Sequence, residues 1–267
     1  MNLEKLLVDV KEIAYNAGEL IKNPQTIEVF SKSGKHNYVT QMDKKISDYL
    51  LSQLPLILPG SVVLSEEGED RNTADTSLVW IVDPIDGTTN YMYHFRLSAI
   101  SIALMKDGKA VLAVVYNPFI NEMYWAAKDA GAYLNGETIN VGNDESINHT
   151  LVLAETDPYS NRASNHTFLW LNQLFQSCID IRITGSAALD FCYIAAGRAG
   201  AFLTPQLDPW DMAAGYLIMA EAGGIATHFD GSPLLFSGSE TAIAGNPQIY
   251  HELLDFFNKE SLAIILM

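Results

Sequence analysis

The sequence predicts a layered α/β fold with mixed sheets. Three observations predict it. The N-terminal stretch carries apolar residues at helical spacing. The middle of the first half reads as successive strands joined by tight turns. The second half alternates short apolar strands with helical segments. The 267 residues are 48% hydrophobic and 18% charged. That is enough apolar material for a sizeable core and too much for a disordered chain. No apolar run approaches the roughly 20 residues of a membrane helix.

Leu3, Leu6, Leu7, Val10, Ile13, Ala14, Ala17, Leu20 and Ile21 recur at spacings of three and four, one face of an amphipathic helix. Pro24 is expected to stop it. A second helix is expected over 40–54, ended by Pro55. Residues 62–64 and 78–82 read as buried strands. Strands at 97–105 and 110–116 flank the turn 106–109, a hairpin signal. Residues 122–127 and 132–134 continue the series, with Asn135-Gly136 as another turn.

Further on, strands are expected at 151–155, 179–183, 201–203, 225–228 and 241–244. Helices are expected at 166–177, 187–196 and 210–222, the last closed by Gly223-Gly224. Asn246 caps a final helix whose first position is Pro247. There is no internal repeat and no low-complexity linker. One domain over 1–267 is expected. A possible seam near 143–150 would divide an α+β part, 1–145, from an α/β part, 150–267.

Sixteen Lys+Arg face 32 Asp+Glu, a net charge of −16. No basic cluster offers a face to nucleic acid or an anionic membrane, so neither is an expected partner. An acidic chain can still take an anionic substrate if metal ions focus positive charge locally. Cys178 and Cys192 lack zinc-site spacing and read as buried thiols. Glu4, Lys5, Asp9, Lys11 and Glu12 interrupt any signal-peptide apolar stretch, so a cytoplasmic location is expected.

The most informative stretch is Trp80-Ile81-Val82-Asp83-Pro84-Ile85-Asp86-Gly87-Thr88-Thr89-Asn90. An apolar strand is expected to end at Asp-Pro, and a second Asp follows three residues on. Pro84 would turn the chain and aim both carboxylates at one point. Hard cations such as Mg²⁺ want oxygen ligands of this kind. Gly87 permits close backbone approach. If a short helix starts there, the Gly87 and Thr88 amides offer an anion site. Ser65-Glu66-Glu67-Gly68 puts acids at another strand end and matters if the fold brings Glu66 beside Asp83. In Asp208-Pro209-Trp210-Asp211, Asp211 falls at the third helical position. It can be read as a helix-start carboxylate or as a further metal ligand. Thr184-Gly185-Ser186-Ala187 is a plausible anion or hydroxyl contact before a small-residue helix.

Asp83 to Asn90 resembles the first signature of the inositol monophosphatase family. Trp210-Asp211-Met212-Ala213-Ala214-Gly215, running on to Glu221-Ala222-Gly223-Gly224, resembles its second. Asp43, Glu66-Glu67 and Gly185-Ser186-Ala187 fall in the expected order around them. The resemblance implies a five-layered αβαβα sandwich, Mg²⁺-dependent phosphomonoester hydrolysis, lithium sensitivity in many members and usually a homodimer.

Carried over by position, one metal would be held by Glu66, Asp83 and the Ile85 carbonyl. A second would be held by Asp83, Asp86 and Asp211, and a third, weaker one by Glu66 and water. Thr88, oriented by Asp43, would help Glu66 position the attacking water. The Gly87 and Thr88 amides would bind phosphate, with Asp86, Asp211 and Gly185-Ser186-Ala187 also at the substrate. Lys32 matches a mobile-loop lysine. Animal members carry a substrate-binding acid seven residues before the second-signature Asp. Here that position is Thr204, which implies a more permissive alcohol site.

The expected substrate is a small phosphorylated molecule such as myo-inositol monophosphate. NADP(H), fructose 1,6-bisphosphate and 3′(2′),5′-bisphosphate nucleotides are alternatives within the family. A regulatory, protein-binding role is the alternative outside enzymology.

Overall fold

The structure is a computed structural model describing residues 1–22, 28–31, 38–68, 77–156 and 161–265, with backbone alone for 161–165 and 260–265. Pro24 and Lys32 lie outside the described residues.

Helix α1 (Leu3–Lys22) buries Leu6, Val10, Ile13, Ala14, Ala17 and Ile21. This is the stripe that spacings of three and four set on one face. Strands β1 (Val29–Ser31) and β2 (Tyr38–Thr40) form a small antiparallel ribbon that the apolar pattern does not announce. Helix α2 (Gln41–Ile57) opens with a capping box. Thr40 Oγ1 accepts the Met42 and Asp43 N–H groups at 3.1 and 3.3 Å, and Asp43 Oδ2 accepts the Thr40 N–H at 2.8 Å. Pro55 does not end this helix, contrary to expectation. The helix runs to Ile57, and the Leu58 N–H closes on the Leu54 carbonyl at 3.2 Å. Proline forfeits one bond and crowds one carbonyl. In the last turn that loss stays local.

Next come β3 (Val62–Ser65), β4 (Leu78–Asp86), α3 (Thr88–Met92), β5 (Ala99–Lys106), β6 (Lys109–Asn117), β7 (Glu122–Ala127), β8 (Ala132–Leu134) and β9 (Glu137–Ile139). The seven strands form one sheet in sequence order, β3 parallel to β4 and the rest antiparallel. Asp107-Gly108 and Asn135-Gly136 adopt positive φ at both residues. That twist suits two-residue hairpins.

After a 3₁₀ turn (Ile147–His149) come β10 (Leu151–Ala154), α4 (Asn161–Phe175), β11 (Asp180–Arg182), α5 (Ala187–Ala195), β12 (Ala201–Leu207), α6 (Pro209–Glu221), β13 (Ile225–Thr227), β14 (Glu240–Gly245) and α7 (Pro247–Ile265). The second sheet has the order β11-β10-β12-β14-β13 and is mixed: β10 is parallel to both neighbours and β14 antiparallel to both of its own. Helix α6 ends as its glycines predict. Gly223 has φ 91°, and the Gly223 and Gly224 N–H groups return to the Ala220 and Met219 carbonyls at 3.0 and 2.9 Å. These two bonds are the Schellman pattern.

The layers run α1/α2, large sheet, α5/α6, small sheet, α4/α7, a five-layered αβαβα sandwich. Three cores fill the gaps. One, with Ile46, Leu50, Trp80 and Ile102, lies between α1/α2 and the large sheet. A central one gathers Ile81, Ala103 and Val115 with Phe191, Phe202 and Ile218 around α5/α6, drawing on both sides of the 143–150 stretch. The third, with Val152, Ile243, Leu253 and Phe257, lies under α4/α7. Cys192 is buried, but Cys178 is only half-buried, because it sits in the short turn after α4 where one side stays open. No helix among the described residues is long and apolar enough to cross a membrane.

Candidate active site

The site forms where β4 departs from expectation. The strand does not end at Val82 but pairs on to Asp86. Asp83 faces Ser101 and Asp86 faces Ala99, so β4 takes three steps where β5 takes two. This is a bulge, and it accommodates Pro84, which cannot donate to the ladder. Parity explains its consequence. In a regular strand residues three apart point to opposite faces. The extra residue resets the alternation and lets Asp83 and Asp86 share one side.

Asp211 joins them from the start of α6. One carboxylate oxygen from each of Asp83, Asp86 and Asp211 lies within 4.8 Å of the others. Each acid has one oxygen tied down. Asp83 Oδ1 accepts the Ile85 N–H at 2.9 Å. Asp86 Oδ2 accepts the Ala188 N–H at 3.0 Å and the Ser186 hydroxyl. Asp211 Oδ2 accepts the Asp208 N–H at 2.8 Å. Asp211 is therefore both a helix-start carboxylate and a member of the cluster. Glu66 follows β3, whose parallel pairing sets Ser65 opposite Val82; the Glu66 N–H reaches the Val82 carbonyl at 3.3 Å. Its negative charge acts on Asp83, Asp86 and Asp211 alike.

Burial and mutual repulsion raise the affinity of these acids for protons. Asp86 is pushed up to about 7, chiefly by burial, against the hydrogen bonds from Ser186 and Ala188. Asp83 is raised well above the carboxylate range by burial, then by Glu66, Asp86 and Asp211. Asp211 is raised in the same sense by burial, Asp86 and Glu66. Among the described residues no lysine or arginine pairs with these three aspartates. Converging carboxylates without a cationic side chain need protons or a metal ion. An all-oxygen set of this kind fits a hard divalent cation.

Beside the cluster, Thr88 Oγ1 lies 3.0 Å from Asp43 Oδ1 and 3.2 Å from the Ile85 carbonyl, either of which its hydroxyl can serve as donor. Asp43 is 1% exposed, and its other oxygen is fixed by the Thr40 N–H and hydroxyl. Burial raises the Asp43 carboxyl, partly offset by these bonds. Gly87 precedes α3 with φ 83°. A Cβ there would meet the Leu97 and Gly185 carbonyl oxygens at 2.8 and 2.9 Å, so only glycine fits.

The 184–186 segment is held against the first signature by Asn90, whose Nδ2 donates to the Leu97 and Thr184 carbonyls at 2.8 and 2.7 Å. Gly185 lies against Gly87, with φ 75°. Ser186 is 1% exposed and its hydroxyl is spent on Asp86; the Ala187 amide also faces that carboxylate. These groups support an acid, rather than standing free for a ligand as expected.

Thr204 departs further. It is fully buried in β12, and its hydroxyl donates to the Gln206 carbonyl at 3.1 Å where the pairing with β14 shifts register. It presents no surface to a substrate, because the irregular turn of β12 takes up its hydroxyl. Sequence reasoning assigned no role to Asn90, Glu155 or Asp190. Asn90 lay inside the first signature, and its amide was the available signal. The two acids had none, being single carboxylates in unremarkable contexts.

The profile of the inositol monophosphatase family matches residues 2–260. The chain is 35% identical over 247 residues to Nus factor SuhB of Escherichia coli K12, covering 90% of this chain and 91% of that one. It is 37% identical over 237 residues to inositol-1-monophosphatase of Mesorhizobium japonicum, covering 88% of each. Among solved structures, the Thermotoga maritima IMPase superposes with a TM-score of 0.88 at 29% identity, covering 97% of this chain and 99% of that one. An inositol-monophosphate-bound SaIMPase-II gives 0.82 at 27% identity, covering 98% and 97%. The chain belongs to the inositol monophosphatase family.

Proposed function

We propose that this protein is a Mg²⁺-dependent phosphomonoester hydrolase acting on myo-inositol monophosphate and related small phosphates. The observation that carries the reading is the convergence of Asp83, Asp86 and Asp211 within 4.8 Å, each with one oxygen held by a backbone N–H. Two related proteins support the substrate class. One relative is called inositol-1-monophosphatase. SaIMPase-II has been solved with inositol monophosphate and with 2′AMP, both phosphomonoesters on a hydroxylated ring.

Asp83, Asp86 and Asp211, with Glu66 and the Ile85 carbonyl, would hold the ions. Bound Mg²⁺ would neutralise the phosphoryl oxygens and activate water. The protein's own groups do the rest. The Gly87 and Thr88 amides would take phosphate oxygens. Thr88 Oγ1 would accept a proton from the attacking water while passing its own to Asp43 Oδ1. Asp43 suits that role, since burial already raises its proton affinity.

The test is Asp83→Asn, assayed by phosphate release from inositol 1-phosphate and 2′AMP in Mg²⁺. The amide keeps an acceptor for the Ile85 N–H, so the fold should survive. The rate should fall roughly 10²-fold or more, the scale of losing a main electrostatic stabiliser. A folded Asp83→Asn protein of near-normal activity would refute the reading. A regulatory reading has one observation in favour: the curated relatives named Nus factor SuhB. It requires a partner-dependent function that Asp83→Asn leaves intact.

A further inference from the structure

Two acids, Asp190 and the half-buried Glu155, lie behind the cluster and take no part in it. Asp190, in α5, is fully buried, and its Oδ1 accepts the Thr184 hydroxyl at 2.7 Å. Glu155 follows β10, tied to β12 by its own N–H on the Leu203 carbonyl at 3.1 Å. Its carboxylate lies beside the Gly185 and Ser186 N–H groups and the Asp190 side chain, close enough for all three to act on its charge. One oxygen on each acid, Glu155 Oε1 and Asp190 Oδ2, is buried with no donor. Two facing carboxylate oxygens are both acceptors, and an acceptor buried without a donor is costly. One proton placed between them supplies the missing donor to both.

We propose that Glu155 and Asp190 share a single proton and act as a positioning pair, fixing the 184–186 segment so that Ser186 aims the Asp86 carboxylate into the cation site. The proposal rests on reading the acid cluster as that site. The connections are short. Thr184 is bound to Asp190, and Gly185 and Ser186 lie beside Glu155. Ser186 and Ala188 in turn hold Asp86 Oδ2. Full ionisation would set two negative charges in contact inside the protein, pushing the segment off its place. Burial agrees with a retained proton: it raises Glu155 to about 8 and Asp190 well above the ordinary carboxylate range.

A carboxamide provides the discriminating variant. In Glu155→Gln the NH₂ can donate to Asp190 while the amide oxygen still faces Gly185 and Ser186. In Glu155→Ala both functions are lost. Mg²⁺ affinity, measured by calorimetry, should weaken about tenfold or more in Glu155→Ala, the scale reported for groups that orient metal ligands. Glu155→Gln should recover most of it. Infrared difference spectra of Mg²⁺-loaded wild type minus Glu155→Gln near neutral pH should show a protonated-carboxyl C=O band that shifts in heavy water. Absence of that band overturns the shared proton. Wild-type Mg²⁺ affinity in Glu155→Ala overturns the positioning role. Should Glu155→Ala fail to fold, Asp190→Asn and Glu155→Gln carry the test, and a tenfold loss in either overturns the pair. If wild type binds no Mg²⁺, the cation-site reading fails, while the infrared band still decides the proton.

Discussion

Gly87→Ala is the sharpest perturbation of the contact between the first signature and the 184–186 segment. Two costs are expected. The first is conformational: at φ 83° an L-residue is strained by roughly 1–2 kcal/mol. The second is steric: the new Cβ would sit 2.8 Å from the Leu97 oxygen and 2.9 Å from the Gly185 oxygen. Both are backbone atoms, so no side-chain rotation relieves them. Asn90 also grips both carbonyls, at 2.8 and 3.3 Å, so they cannot retreat freely. Overpacking of this kind costs about 1–3 kcal/mol. The total is about 2–5 kcal/mol.

Gly108→Ala supplies the control. Gly108 has φ 75° but nothing within 4 Å of its would-be Cβ, so only the first cost applies. Urea titration of both variants gives the difference directly if the slope m is unchanged. Gly87→Ala should be the less stable by about 1–3 kcal/mol, and it should also bind Mg²⁺ more weakly, since Gly185 is pressed away and Ser186 moves with it. Equal destabilisation in the two variants would refute the close approach.

Three further outcomes follow from the site. In the metal-free protein Asp86 is raised to about 7, so the fold retains protons that the unfolded chain has released. Metal-free stability is then highest below the ordinary carboxylate pKa and is lost as pH rises through about 7. The gain in Tm from Mg²⁺ over NaCl of equal ionic strength should therefore grow between about pH 5 and pH 7.5; equal gains from both salts would refute a cation cluster. Thr88→Ala should lower kcat roughly 10²-fold or more with Mg²⁺ binding little changed, and Thr88→Ser should recover most of the rate; full activity in Thr88→Ala would remove Thr88 from the chemistry. Thr204→Glu should destabilise the protein by about 3 kcal/mol or more in thermal or urea unfolding, because it buries an unpaired charge; a stable Thr204→Glu protein would show that the position opens to solvent.

Local chemistry was legible in the sequence, and distant convergence was not. The turns at Asp107-Gly108 and Asn135-Gly136, the cap at Asn246, and the Gly223-Gly224 stop are decided within a few residues. So is the helix period of α1. The bulge in β4 depends on β5, and Asp-Pro alone reads as a strand end. The bond from Ser186 to Asp86 spans 100 residues, and that from Asn90 to Thr184 spans 94. Thr204 shows the limit from the other side. Its position relative to the second signature suggested a ligand contact, but its exposure depends on how β12 bends against β14.

The site also shows why a structural and a chemical reading of an acid need not compete. Asp43 and Asp211 each complete a helix-start capping box, and Asp83 bonds to the amide two residues on. Each of these local bonds consumes one carboxylate oxygen and thereby directs the other. An aspartate that makes an ordinary turn or cap is thus an aspartate already aimed. Asp86 is the exception. Its support comes from α5, across the gap between sheets. The distinction has a mutational consequence. At Asp83 and Asp211 the held oxygen serves a single donor, so an asparagine oxygen can keep the local acceptor while the charge is removed, and those variants should fold and fail only in metal binding. At Asp86 one oxygen must satisfy both Ser186 and Ala188, and an amide turned the wrong way would set its NH₂ against the Ala188 N–H. Asp86→Asn should therefore lose both metal affinity and the seating of the 184–186 segment.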